Sequence, residues 1–415
     1  MRILKSAAAE KYVRRLEQRG ATDLAGVEPL VKRTISGVRK DGDRALCRYA
    51  LRWDGLEKGQ TIRVSEGELK AAWADTDSGL QDAIREAAGN IRRYCERQKP
   101  TEWRSEIQDG VCVGQIVRPL QSVGCYVPGG RYPLPSTLLM TVIPAQVAGV
   151  KQIRVASPNP AQATLAAAKF LGVQEFYRVG GAQAIAALAY GTQSIPRVDK
   201  IVGPGNRYVT AAKKLVAFDC AIEFLAGPTE AVFISENGNA SHIAADMVAQ
   251  AEHDPDALCV LITPSMHLAK SVGEQVLERT KGNVIARRSL SRRGAVLLVD
   301  SLEGAVALAN RIAPEHLTLP KELLSLVEHA GSIFLDEFTP QSAGDYISGP
   351  SHVLPTGGMA RVGGGLSVRD FVRTVSVQQI SEEGMRHIGP AAIALAQAEG
   401  LLGHAESLRA RLVHA

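Results

Sequence analysis

The sequence predicts an α/β protein with two doubly wound lobes on parallel sheets, plus small helical parts at the N- and C-termini. From about residue 120 onward, short β-branched runs alternate with Ala-rich helical runs, an order typical of βαβ units. The strand-like runs are almost continuously apolar, as in parallel sheets that helices cover on both faces. At 415 residues, the chain also exceeds the size at which one hydrophobic core stops growing. We therefore expect two incomplete Rossmann-like lobes.

This pattern divides the chain into four parts. Residues 1–105 are mainly helical, because apolar positions recur at three and four and Pro100 follows the last turn. Residues 120–228 form the first Rossmann-like lobe and residues 229–367 form the second. Residues 368–415 form a helical tail. This tail follows a stretch rich in Gly, Pro and Ser that is too long for an ordinary loop and carries titratable residues.

The composition excludes several classes of protein. The longest apolar runs are too short to cross a bilayer and the N-terminus lacks the pattern of a signal peptide, so we expect no membrane association and a cytoplasmic location. The net charge is +5, but basic and acidic residues alternate along the helices and no basic block is interleaved with aromatics. We therefore expect no nucleic-acid binding. The six cysteines form no C-x-x-C pair, which argues against a thiolate zinc site.

Three glycine-rich turns follow strand-like runs of the first lobe: VGCYVPGGRYPLPST, VGGAQAIAALAYGT and VGPGNRYVT. Each stands where a strand ends and a helix begins, and helix N-termini at the carboxyl ends of parallel strands offer free amides to a phosphate. None of the three is a full G-x-G-x-x-G, and tight-turn glycines of any α/β protein would look similar. The residues alone leave nucleotide binding and a structural role as alternatives.

A metal site is indicated by VAQAEHDPD, in which Gln250 and His253 stand three apart near the end of a helical run. The alternative is a histidine that simply favours the negative end of the helix dipole. His404 in the tail and Asp345 in the Gly-rich stretch are equally ambiguous when each is taken alone. Nitrogen and oxygen ligands without thiolates would suit zinc or another borderline divalent ion.

The segment RIAPEHLTL places Glu315 directly before His316 at the start of an apolar strand-like run. Such a pair suits general acid/base catalysis, because burial can move the pKa of either group toward neutrality. The alternative is an exposed strand end. If the segment is extended, successive side chains point to opposite faces, so both can reach one pocket only if the chain turns near Pro314.

Taken in order, these motifs resemble those of the histidinol dehydrogenase family. The resemblance covers most of the chain and rests on CYVPGG, VGGAQAIAALAYGT, VGPGNRYVT, AGPTE, AQAEHDPD, APEHLTL, SAGDYISGPSHVLPT, GLSVRDF and EGLLGH. It implies an NAD-dependent oxidation of L-histidinol through L-histidinal to L-histidine, the last steps of histidine biosynthesis. It also implies a zinc ion and an intertwined homodimer.

Carried over residue by residue, the resemblance implies that Gln250, His253 and Asp345 bind zinc. His404 of the partner subunit would complete the metal site. In this family the metal holds the substrate, so all four ligands also count as substrate-binding residues.

The resemblance implies further substrate contacts at Thr229, Glu315 and His352, and at Glu399 of the partner subunit. For catalysis, it implies that His316 removes protons in both oxidations while Glu315 activates water for the aldehyde. For NAD, it implies contacts with one residue in each glycine-rich turn, namely Tyr126, Gln183 and Asn206.

Three departures from the family pattern concern the substrate. Thr229 stands where a serine is expected, SHVLPT stands in place of NHVLPT, and the turn GGRYPLPST is spaced differently before its Ser-Thr pair. Relatives that oxidise other polar alcohols, such as a sulfonated propanediol, share the catalytic and metal residues. The retained His352 and Glu399, which suit an imidazole and an ammonium group, favour histidinol.

Overall fold

The computed structural model describes residues 1–19, 24–129 and 132–412. These residues contain two parallel sheets, one antiparallel sheet and many interleaved helices, which confirms the predicted α/β class. No helix in the described ranges is long and apolar enough to cross a membrane. Gly130 and Arg131, in the GGRYP turn, lie outside the described residues.

The N-terminal part begins with a strand and continues as helices: β1 (Arg2–Lys5), α1 (Ser6–Glu17), α2 (Glu28–Asp41), α3 (Asp43–Trp53), α4 (Glu66–Ala74) and α5 (Ser78–Arg97). No sequence pattern predicted β1, which pairs in parallel with residues 295–298 of the second lobe. Four residues are too few to show a period, and the strand forms by adding to a sheet edge. Helix α2 buries Val31, Ile35 and Val38 in the core that it shares with the first lobe.

The first lobe follows an antiparallel hairpin of β2 (Trp103–Gln108) and β3 (Val111–Pro119). Its elements are β4 (Ser122–Tyr126), α6 (Pro135–Ala148), β5 (Gln152–Ala156), α7 (Gln162–Phe170), β6 (Glu175–Tyr177), α8 (Gly181–Tyr190), β7 (Lys200–Val202), α9 (Arg207–Val216) and β8 (Ala221–Ile222). The five strands are parallel in the order β6-β5-β4-β7-β8. The strand order therefore reverses between β4 and β7, where doubly wound sheets open a crevice for ligands.

The second lobe repeats the pattern with β9 (Glu230–Ile234), α10 (Ala240–Ala251), β10 (Leu258–Thr263), α11 (Met266–Arg279), α12 (Val284–Arg292), β11 (Ala295–Leu298), α13 (Leu302–Ile312), β12 (His316–Leu319), β13 (Ser332–Leu335) and α14 (Gln341–Tyr346). A 3-10 helix, Lys321–Leu326, stands between β12 and β13. The strands are parallel in the order β1-β11-β10-β9-β12-β13. The adjacent β9 and β12 are apolar inside the sheet except for Thr318, and the polar residues Glu230 and His316 stand at their N-terminal ends.

The C-terminal part consists of the 3-10 helix Val368–Phe371, β14 (Val372–Ile380), α15 (Glu382–Ala398) and α16 (Leu402–Arg409). Our expectation of a purely helical tail missed β14. This strand pairs antiparallel with β3 along its whole length and completes the sheet β14-β3-β2. Its partner lies more than 250 residues earlier in the chain, so no local pattern announces the pairing.

Candidate active site

The segment between α13 and β12 makes the turn that the sequence required. Ala313, directly after α13, adopts the left-handed conformation with φ +49° and ψ +65°. This conformation is costly for a residue with a Cβ atom, on the order of 1–3 kcal/mol, and persists only where the surroundings enforce it. The turn brings Glu315 and His316 into one pocket, with 3.7 Å between Glu315 Oε2 and His316 Nδ1.

Glu315 is buried at the N-terminal ends of two neighbouring strands. Its Oε2 accepts a hydrogen bond of 3.0 Å from the backbone N–H of Glu230, the first residue of β9. Burial raises the pKa of Glu315 to about 7, although the nearby His316 and the Glu230 amide oppose the shift. A carboxyl group with such a pKa can hold or release a proton near neutral pH, as a general base must.

His316 lies between two carboxylates. Its Nε2 is 3.6 Å from Asp345 Oδ1 and its Nδ1 faces Glu315, while its ring stacks on Phe334 with centroids 5.7 Å apart. Neither ring nitrogen has a hydrogen-bond partner within the described residues. Burial alone would lower the pKa of His316, but Glu315 and Asp345 outweigh it and raise the pKa. The imidazole is therefore buried, oriented by stacking and surrounded by negative charge that favours proton uptake.

The raised pKa of Glu315 predicts a pH-dependent stability. The folded state keeps the proton that the unfolded chain loses above its ordinary pKa of 4.5, so stability falls as the pH rises through about 7. For metal-free protein, we expect Glu315→Gln to gain about 2–3 kcal/mol over the parent chain between pH 5 and pH 8. Urea unfolding of the variant and the parent chain at the same pH values measures this difference in the free energy of unfolding. The exposed Glu322→Gln is the control, and equal pH profiles for both variants would contradict the burial of Glu315.

Two of the predicted zinc ligands, Gln250 and Asp345, meet beside His316. Gln250, in the last turn of α10, is buried and donates a 3.1 Å hydrogen bond from Nε2 to Asp345 Oδ2. Its Oε1 is also buried and has no partner in the described ranges. Burial opposes ionisation of Asp345, but the nearby His316, His352 and His253 lower its pKa. His253 itself lies beyond the end of α10 and is exposed.

His352 joins the two lobes at the site. Its Nδ1 is 2.6 Å from the backbone carbonyl of Asp345, which can only accept, so Nδ1 carries the hydrogen. In the neutral ring Nε2 then accepts from Thr137 Oγ1, 3.1 Å away on α6. Burial lowers the pKa of His352, which favours this neutral form. Thr229 stands immediately before β9, half-buried at the same sheet edge.

The predicted partner-subunit residues lie elsewhere on this chain. Glu399 is the C-cap of α15 and His404 lies on α16, and both are exposed. Within the described residues, neither side chain forms a hydrogen bond or ion pair with Gln250 or Asp345. Side chains of three or more His, Cys, Asp or Glu residues do not form a metal-binding group anywhere in that part of the chain. Of the four predicted ligands, only Gln250 and Asp345 are joined by a hydrogen bond within the described residues.

The three glycine-rich turns converge at the carboxyl ends of the first sheet. Tyr126 ends β4, and its hydroxyl accepts a 3.1 Å hydrogen bond from the Gly181 amide at the start of α8. Gln183, in the first turn of α8, is buried and donates from Nε2 to Asp54. Asn206 caps α9 and is exposed. The turns therefore meet beside the crevice where the strand order reverses.

Two supporting groups come from the N-terminal part and were missed by sequence reasoning. Asp54 accepts from both Gln183 Nε2 and the Gly180 amide, and so fixes the second glycine-rich turn. Arg19 binds both oxygens of Glu230 at 2.5 and 2.8 Å and donates to the Ile312 carbonyl, which fixes the turn before Glu315. Neither belongs to a motif, because each acts on residues more than 100 positions away.

Comparison with known proteins decides the family. A sequence model described as histidinol dehydrogenase matches residues 17–412. The chain belongs to the histidinol dehydrogenase family. Since members of this family are oxidoreductases, the chain is a dehydrogenase. The resemblance inferred from the nine motifs is confirmed.

Individual relatives match over nearly their whole lengths. A histidinol dehydrogenase of Methanothermobacter thermautotrophicus is 48% identical over 417 residues, covering 97% of this chain and 97% of the relative. One of Bacillus thuringiensis subsp. konkukian is 46% identical over 397 residues, covering 93% and 92%. The crystal structure of histidinol dehydrogenase from Elizabethkingia anophelis superposes with a TM-score of 0.94 at 35% identity, covering 100% of this chain and 98% of that chain.

Proposed function

We propose that this family member carries out the NAD-dependent, four-electron oxidation of L-histidinol, through L-histidinal, to L-histidine in cytoplasmic histidine biosynthesis. Family membership supports the substrate. The single observation that supports the chemistry is the buried imidazole of His316 between the carboxylates of Glu315 and Asp345. The same pocket must oxidise an alcohol first and an aldehyde second. It holds His316 as a proton acceptor for the alcohol and Glu315 as a base for the water that adds to the aldehyde.

The residues present fit a zinc ion. The buried Oε1 of Gln250 is an oxygen donor whose desolvation nothing in the described chain offsets, and its Nε2 is already bound to Asp345. Asp345 is held ionised by the surrounding histidines, as a metal ligand must be. We propose that Gln250, His253 and Asp345 bind zinc together with His404 of the partner subunit.

The first lobe fits NAD at the crevice between β4 and β7. The N-terminus of α9 begins directly after β7, and that of α8 contacts Tyr126 at the end of β4, so the positive dipole ends of both helices suit a pyrophosphate. We propose contacts from Tyr126, Gln183 and Asn206, one from each glycine-rich turn. Because Gln183 Nε2 donates to both carboxylate oxygens of Asp54, at 3.2 and 2.9 Å, the amide oxygen is the atom proposed to face a donor on the nucleotide.

The proposed mechanism assigns different proton transfers to the adjacent residues Glu315 and His316. When bound, NAD would supply the hydride acceptor for each oxidation, and zinc would supply an electrophilic anchor for the substrate's polar groups. His316 takes the hydroxyl proton of the alcohol in the first oxidation. Glu315 takes a proton from the water that adds to the aldehyde carbon, while His316 returns its proton to the aldehyde oxygen to form the diol. The neutral His316 then takes a hydroxyl proton of that diol in the second oxidation. The remaining contacts, Thr229, His352 and Glu399 of the partner subunit, orient the substrate.

The C-terminal part supports a homodimer. Leu395, Leu401 and Leu402 are exposed on or beside α15 and α16, close in the chain to Glu399 and His404. Exposed leucines clustered with polar groups mark surfaces that bind another protein. A second copy that covers this apolar surface would carry both polar residues into the proposed metal site. We propose that each subunit completes the site of the other.

Counting NADH per alcohol tests the proposal. Purified protein with zinc should reduce two NAD for every L-histidinol consumed, because both oxidations occur on one enzyme. The substrate panel should include the polar alcohol 2,3-dihydroxypropane-1-sulfonate, since Thr229 and Ser351 depart from the family pattern. NADH formed from that alcohol while histidinol stays inert would replace the proposed substrate. No NADH from any alcohol would remove the function.

A further inference from the structure

A buried ion pair lies beneath the third glycine-rich turn. Lys213 on α9 and Glu223 after β8 are 2.7 Å apart, and their side chains are only 3% and 1% exposed. Two charges so fully removed from water rarely stabilise a fold more than well-packed apolar residues would. Stability is therefore a weak reason for this pair, and its contacts point to a different role.

Both members of the pair bind the same glycine. The backbone N–H of Gly203 donates to Glu223 Oε1 at 2.7 Å, and Lys213 Nζ donates to the Gly203 carbonyl at 3.2 Å. The second oxygen, Glu223 Oε2, is buried and without a hydrogen-bond partner in the described residues. The two charged groups thus bind the N–H and the carbonyl of Gly203. These hydrogen bonds are stronger than they would be in water, because the interior has a low dielectric constant.

Gly203 is also pressed against the first glycine-rich turn. Its φ of +116° is readily adopted only by glycine, and a Cβ atom at this position would lie 2.0 Å from the Tyr126 carbonyl oxygen. Three residues later, Asn206 caps α9 by accepting from the Tyr208 and Val209 amides. The position of Gly203 therefore sets the distance between the turn that carries Tyr126 and the turn that carries Asn206.

We propose that the Lys213–Glu223 pair is a positioning device for the nucleotide, which holds Gly203 so that Tyr126 and Asn206 face one ligand. This inference rests on the proposed use of NAD. Lys213 does not itself bind the phosphates, because its ammonium group is buried and already bound to Glu223 and Gly203. The pair acts on cofactor affinity through the backbone.

The decisive variant is the double replacement Lys213→Met with Glu223→Leu. It removes both charges together, so the fold is expected to keep a melting temperature close to that of the parent chain. It also removes both side-chain bonds to Gly203. We expect the KM for NAD to rise about tenfold or more, with the KM for histidinol and kcat at saturating NAD changed about twofold or less. NAD binding without substrate should weaken by the same factor.

Two further variants keep the test decisive. Glu223→Asp retains the charge but withdraws the carboxylate from the Gly203 amide, so a folded variant should also show a raised KM for NAD. Lys214→Met, on the same helix, removes an exposed lysine paired with Glu28 and should change nothing. A folded double variant or Glu223→Asp with the parent's KM for NAD would overturn the inference. Absence of NAD reduction by the parent chain would instead overturn the proposed function.

Discussion

His316→Asn is expected to slow both oxidations by about 10²–10⁴-fold, the range that a positioned general base contributes. Asparagine retains a polar side chain but cannot take a proton from the alcohol or the diol. The loss should appear in kcat rather than in KM, because the proposed role of His316 is to act on the reacting hydroxyl. Rates of NADH formation from histidinol and from histidinal, measured separately, test both halves.

The substitution Glu315→Gln, at the neighbouring residue, should affect the rates of the two oxidations unequally. It retains an acceptor for the Glu230 amide but cannot take a proton from water, so the aldehyde oxidation should slow more than the alcohol oxidation. The exposed His267→Asn on α11 controls for histidine removal in general and should leave both rates unchanged. Equal losses from Glu315→Gln in the two half-reactions would contradict the division of roles.

Loss of the metal is expected to abolish activity. Two variants that each lack a different ligand should restore activity when their subunits are combined in one heterodimer. Asp345→Asn and His404→Asn should each give homodimers with little bound zinc and little activity. In a heterodimer of the two variants, one site combines Asp345 of one chain with His404 of the other, both intact. Mixed subunits exchanged at random should therefore recover about a quarter of the parent activity, as expected for a two-fold dimer.

Zinc content and activity measured on refolded mixtures check this expectation. His387→Asn, an exposed histidine on α15, is the matched control and should remain active alone. Mixtures that stay inactive although both variants fold and dimerise would show that His404 does not act across the interface. Full activity after exhaustive chelation, with no bound metal, would contradict the metal site itself.

The helical and strand elements near the glycine-rich turns were largely predictable. Apolar strands followed by Ala-rich helices define βαβ units by local pattern, and the chain order places their turns at one sheet edge. Strands β1 and β14 were not predictable in this way. Each pairs with a strand more than 250 residues away, and a short or alternating segment becomes a strand only when a sheet edge is available.

The sequence by itself determined the family, the order of the βαβ elements and the residue types of the candidate site. Only the tertiary structure decided that Glu315 and His316 share a pocket, since nothing in an alanine at 313 signals the left-handed turn that the folded surroundings impose. The tertiary structure also decided the raised pKa of Glu315 and the hydrogen bonds of Lys213 and Glu223 to Gly203. These properties depend on burial and on contacts between distant segments, which come into existence only when the sheets assemble.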